Sequence, residues 1–150
     1  MNEQLIQLTK PVSRRFIDTK PKAGRDLAFV SHANVTQLLL AAVGPHSWTK
    51  VPGSDLYDKD GKLEAQVWRL EVTIDGKDVV VESTGDYDGM ANQSQGFRGQ
   101  VCEANSYRRA AAKCGVFLEG WVDGGQGTGM YVIHDHLIKQ EEKEGSNDSE

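Results

Sequence analysis

The segment Leu63 to Ile74, LEAQVWRLEVTI, sets Trp68, Leu70, Val72 and Ile74 on one side and Arg69, Glu71 and Thr73 on the other. Alternation at a period of two predicts a strand with one buried face and one wet face. Asp75-Gly76 follows, a favoured two-residue hairpin turn, and KDVVVEST returns as the partner strand. Pairing across that turn sets Val79 opposite Val72, Val81 opposite Leu70, and Glu82 opposite Arg69. An upstream turn at Asp60-Gly61 joins this hairpin to an extended piece from Ser47 to Val51. The run MYVIHDHLI alternates enough to predict a last strand.

Two segments switch to helical spacing. In SHANVTQLLLAAVGP, Val35, Leu38, Leu39 and Ala42 recur at helical intervals, Ser31 or Asn34 can cap the start, and Gly44-Pro45 ends it. In EANSYRRAAAKCG, from Glu103 to Gly115, a step of about 100° per residue gathers Glu103, Ala104, Tyr107, Ala110, Ala111 and Cys114 on one side. Arg109 and Lys113 fall on the opposite side, with Arg108 on the flank. The alanines leave little bulk, so this helix can pack closely on a sheet, and Gly115 is a natural left-handed stop. The pattern predicts an α+β fold: a curved antiparallel β-sheet of three to four strands around a central β-hairpin, packed with two helices.

The remaining segments are less regular. Pro11, Pro21 and Gly24 interrupt residues 1 to 28, and the piece from Lys20 to Arg25 reads as an exposed loop. Residues 85 to 99 are rich in turn formers, VFLEGW reads as short and buried, and GGQGTG as a flexible connection. The ending EEKEGSNDSE has the composition of a disordered tail, which divides the chain into a domain over 1–140 and an acidic tail over 141–150.

Charge changes the picture in one respect. A formal net charge of -5 over 150 residues argues against a generally basic nucleic-acid coat. The signs are segregated, however. Arg98, Arg108, Arg109 and Lys113 face Glu103 alone between positions 98 and 113, and Lys10, Arg14, Arg15, Lys20, Lys22 and Arg25 form an earlier basic cluster. Ten acids from Ser54 to Met90 face only four cations. Such segregation permits a basic groove on an acidic body. Arginine pairs suit that use, because guanidinium makes forked hydrogen bonds to phosphate and stays charged. The same spacing also suits a solvated amphipathic helix.

Other chemistry is weaker. Twelve residues of helix set Cys102 and Cys114 roughly 18 Å apart, too far for a disulfide, so a reduced intracellular protein is expected. No apolar run reaches the roughly 20 residues of a membrane span, and the N-terminus lacks the order of a secretory signal, so no membrane association and a cytoplasmic location are expected. In an extended strand His134 and His136 share a face without a third ligand, which favours a solvated strand end over a metal site. GGQGTG lacks the Gly-Lys-Ser/Thr ending of a nucleotide loop. Asp86 and Asp88 are the acids a metal-dependent nuclease would use, yet no lysine completes that motif nearby. Tyr87, Phe97 and Tyr107 suit base stacking and core packing alike. No metal, cofactor or catalytic residue is expected.

The order of these features carries a resemblance. A helix ending in Gly44-x-x-x-Trp48, a hairpin, a Gly-Asp-rich loop and the pattern Glu103-x-x-x-Tyr107-Arg108-Arg109-Ala110-x-x-Lys113-x-Gly115 resemble the Rad-fifty-two-type (Rad-twenty-two-type) family of single-strand annealing proteins, phage recombinases included, over residues 14 to 122. The resemblance implies a sheet-and-helix core that assembles into a homo-oligomeric ring or arc. It implies single-stranded DNA in a basic groove and annealing of complementary strands without ATP, in homologous recombination and double-strand break repair. It also implies a place beside the nucleoid of a bacterial or phage-infected cell, and a single-strand-binding protein as a further partner. The family's basic pair matches Arg108 and Arg109, with Lys113 and Arg98 beside them. Arg14, Arg15, Lys20, Lys22 and Arg25 are candidates for the other wall of the groove.

The match departs at Asn105, Tyr107 and Cys114, where many relatives carry Asp, an aliphatic residue and an aromatic. The long C-terminal region of eukaryotic members has no counterpart here, so a minimal annealing module is expected rather than a full mediator. Alternatives are a single-strand DNA-binding or host-factor adaptor module without annealing activity, and a metal-dependent nuclease.

Overall fold

The computed structural model describes residues 2–22, 24–122 and 132–148. In chain order these form α1 (Glu3–Thr9), a 3-10 turn (Arg14–Phe16), β1 (Ile17–Lys22), β2 (Arg25–Val30), α2 (His32–Val43), β3 (Ser47–Lys50) and β4 (Leu56–Tyr57). There follow β5 (Leu63–Ile74), β6 (Lys77–Asp86), α3 (Gln95–Lys113), α4 (Leu118–Val122) and α5 (Val132–Asp148). The fold is α+β with antiparallel sheets.

The hairpin forms in the predicted register, with Val72 opposite Val79, Leu70 opposite Val81 and Arg69 opposite Glu82. Asp75 and Gly76 take φ of 50° and 81°, the left-handed pair that lets a two-residue turn follow the strand twist. On the wet face Arg69 Nε donates to Glu82 Oε1 at 2.9 Å. Strands β3 and β4 pair with the other edge of β5, so β5 is central and the four-stranded sheet ends at β6.

Helix α3 lies across β5 and β6, and small residues set how close it comes. A Cβ on Gly85 would stand 1.8 Å from the Cys102 carbonyl oxygen, and Ser106 Oγ donates to the Ser83 carbonyl at 2.6 Å. Leu70, Val72 and Ile74 meet Tyr107, Ala110, Ala111 and Cys114 of the α3 segment and Val35 and Leu39 of α2 in one apolar core. Ser31 caps α2 by accepting the Asn34 N–H at 3.2 Å, and Gly44 ends it at φ 75°. Cys102 and Cys114 are both buried and unpaired. No helix among the described residues is long and apolar enough to cross a membrane.

Several expectations are corrected. The piece from Lys20 to Arg25 is not a loop but the tip of a second hairpin, β1 with β2, in which Ile17 pairs with Val30 and Pro21 with Asp26. Proline is tolerated because this ribbon has only edge strands, and the apolar run Leu27 to Val30 shows no alternation to mark it as a strand. Five helices form among the described residues rather than two. Helix α3 starts at Gln95, before Glu103, because Ser94 Oγ accepts the Phe97 N–H at 3.2 Å and caps it. The expected last strand in MYVIHDHLI is helical from Val132, and the helix runs through residues 141–148, where composition predicts a disordered tail. A short apolar run does not separate strand from helix by itself. Here Leu137 is buried and Glu141 Oε1 accepts the Asn2 N–H at 3.1 Å, so α5 is held against the start of α1. On this helix His134 and His136 lie about 200° apart and do not share a face. The segment GGQGTG lies outside the described residues.

Candidate nucleic-acid interface

Because Cys102, Ser106, Ala110 and Cys114 are the buried stripe of the α3 segment, Asn105, Arg108 and Arg109 stand at its flank, half-buried. They open onto a cleft of about 400 Å³ between α3 and the β1/β2 hairpin. Leu27, Phe29 and Val30 of β2 form the facing wall, and Lys20 reaches in from β1. Two basic segments nearly ninety positions apart in sequence thus meet across one groove.

Each cation is oriented by a specific partner. The Arg108 guanidinium donates to Asn105 Oδ1, and Asn105 Nδ2 in turn donates to the Asp86 carbonyl at 2.7 Å. A single ring then serves both walls: Phe29 lies 5.8 Å from Arg108 Cζ and 5.5 Å from Lys20 Nζ. Burial lowers the pKa of Arg108 from its ordinary value, which Asp88 opposes and Arg109 reinforces. Arginine remains charged despite such a shift. Arg109 Nη1 donates to the Thr84 carbonyl at 2.6 Å, which fixes the guanidinium over the end of β6. Asp86 stands 3.7 Å from Arg109 and Asp88 3.8 Å from Lys20.

The other basic candidates are elsewhere. Arg98 is only 5% exposed and turned inward: Nη1 donates to the Leu63 carbonyl at 3.0 Å, Nη2 to the Ala91 carbonyl at 2.8 Å, and the guanidinium stacks 4.4 Å from the Tyr87 ring centre. It fastens the loop after β6 to the sheet and offers no face to a groove. Lys113 is exposed beside Arg109 in a shallower depression with Trp121. Arg14 and Arg15 are exposed on the 3-10 turn, with Arg15 over Phe16 at 4.7 Å, away from the cleft wall. The backbones of Lys22 and Arg25 pair at the hairpin tip.

Of the aromatic candidates, Tyr107 is core: it is 2% exposed, its hydroxyl meets His46 Nε2 at 2.7 Å, and burial raises its pKa. Tyr87 and Phe97 pack edge to face on each other at 6.4 Å. Sequence reasoning missed Asn105, Phe29 and Trp121 as cleft residues. Leu27 to Val30 are all apolar, so no alternation singled out Phe29, and the cleft position of Trp121 had no signal either. No group of three His, Cys, Asp or Glu side chains among the described residues is placed to hold a metal ion. Compared with protein-family models and with curated protein sequences, the chain finds no match in either.

Proposed function

We propose that the chain binds single-stranded DNA along the Lys20–Arg108–Arg109 cleft and anneals complementary strands without ATP. One observation carries this: cations from two distant segments converge on one groove, each oriented by a hydrogen bond or an aromatic ring rather than left to wave in solvent. Pre-oriented guanidinium groups match phosphate, and counterion release upon contact favours binding. Contacts confined to the backbone leave base edges exposed for testing against a second strand. Repetition of the groove around a ring or arc of subunits, as the family resemblance implies, multiplies weak contacts into a long footprint. Pairing is downhill, so the protein has only to hold strands unfolded and screen their repulsion.

The test mixes complementary strands, one carrying a fluorophore and the other a quencher, with the protein in the absence of nucleotide. Pairing is expected to run faster than in buffer, and the Arg108→Ala/Arg109→Ala variant to lose both the acceleration and most of the binding while keeping its circular-dichroism spectrum. Log affinity for a single strand should fall with log salt by about 0.7 per phosphate contacted. Binding without acceleration would reduce the protein to a single-strand-binding module, and absence of binding would remove the DNA reading altogether.

A further inference from the structure

In the protein alone, two of the three cleft cations already have a carboxylate beside them. Asp86 is the last residue of β6, held by its own carbonyl to Asn105, and its carboxylate lies 3.7 Å from Arg109. Asp88, two residues on, lies 3.8 Å from Lys20 and so ties the loop after β6 to the opposite wall. These distances are ion pairs rather than hydrogen bonds. The side chains are about half open to solvent, at 40% and 58% for Arg109 and Asp86 and 43% and 41% for Lys20 and Asp88. Arg109 does not depend on its carboxylate for position, because the Thr84 carbonyl holds it. A phosphate can therefore replace the carboxylate without moving the guanidinium.

We propose that Asp86 and Asp88 are built-in competitors for phosphate: they occupy Arg109 and Lys20 in the free protein and must be displaced as a strand enters. The inference rests on the DNA reading above and concerns the regulation of that same cleft. Competition of this kind lowers affinity at each subunit and lets a strand leave the groove once it has paired. It also explains why a basic groove carries two acids at its centre. Placed by the β6 end and by the Arg98-fastened loop, they meet the cations at one point each, where a phosphate would sit.

The test measures binding of fluorescein-labelled oligothymidylate by anisotropy at moderate salt. Asp86→Asn and Asp88→Asn should each tighten binding roughly two- to fivefold, the span expected for exposed ion pairs. The gain from Asp86→Asn should vanish in an Arg109→Ala background, and that from Asp88→Asn should shrink in a Lys20→Ala background to the part it exerts on Arg108. Asp78→Asn removes the same charge at the far end of β6, about 26 Å from Asp86 at strand rise, and should change nothing. An equal gain from Asp78→Asn, no gain from either cleft variant, or weaker binding from them overturns the inference, the last by making the carboxylates positioning groups. If the parent chain binds no oligothymidylate, the DNA reading falls and this inference with it. Binding by the parent without gain by the variants overturns the inference alone.

Discussion

Replacing Arg98 by methionine separates a structural cation from a groove-facing one, because methionine keeps much of the alkyl packing and removes the charge. Two hydrogen bonds from a charged donor are lost, to the Leu63 and Ala91 carbonyls, together with the stacking on Tyr87. Bonds of that kind contribute about 1.5–3 kcal/mol each, and the cation–ring contact about 0.5–2 kcal/mol. Against this stands the cost of burying the guanidinium, whose Nε makes no hydrogen bond among the described residues. The pair with Asp58 at 3.9 Å adds little. The net loss is about 2–4 kcal/mol, which lowers the melting temperature by roughly 5–15 °C in a domain of this size. Thermal unfolding followed by circular dichroism gives the shift, and oligonucleotide anisotropy well below the transition gives the affinity. Stability should fall while affinity is not weakened. Unchanged stability with affinity reduced to the level of the Arg108→Ala/Arg109→Ala variant would show that Arg98 faces the groove after all, and would refute the burial-based reasoning.

Gly85→Ala puts a methyl group against the Cys102 carbonyl and forces α3 away from β6, so unfolding by urea should show a loss of about 1–3 kcal/mol or more; an unchanged midpoint would mean that the helix does not approach this closely. Burial pushes the Cys114 thiol up to about 11 from its ordinary 9.0. The folded state thus holds its proton more tightly, and the stabilisation is complete below pH 9 and lost as pH rises towards 11; the alkaline fall in melting temperature should be smaller in Cys114→Ala. Both buried thiols should resist Ellman's reagent in the native protein and react after denaturation, whereas prompt native reaction would place one of them at the surface.

Local rules made much of this protein legible from its residues alone. Alternation and Asp75-Gly76 determine the β5–β6 hairpin to the residue, since a one-place slip would turn Val79 and Val81 outward and Val80 inward. Ser31 and Gly44 bound α2 because capping and left-handed termination are chemistry of single side chains. The spacing of Arg108 and Arg109 against Tyr107, Ala110 and Ala111 determines that the pair stands off the core. Tertiary structure decided the rest. Whether Arg98 points to a groove or inward depends on two carbonyls and a ring supplied by other segments. The β1/β2 hairpin and the helix from Val132 become regular only because packing elsewhere compensates for weak local preference. The union of Lys20 with Arg108 around Phe29, and of Asp86 and Asp88 with the cleft cations, is a property of chain segments brought side by side. No periodicity along one segment encodes a distance to another.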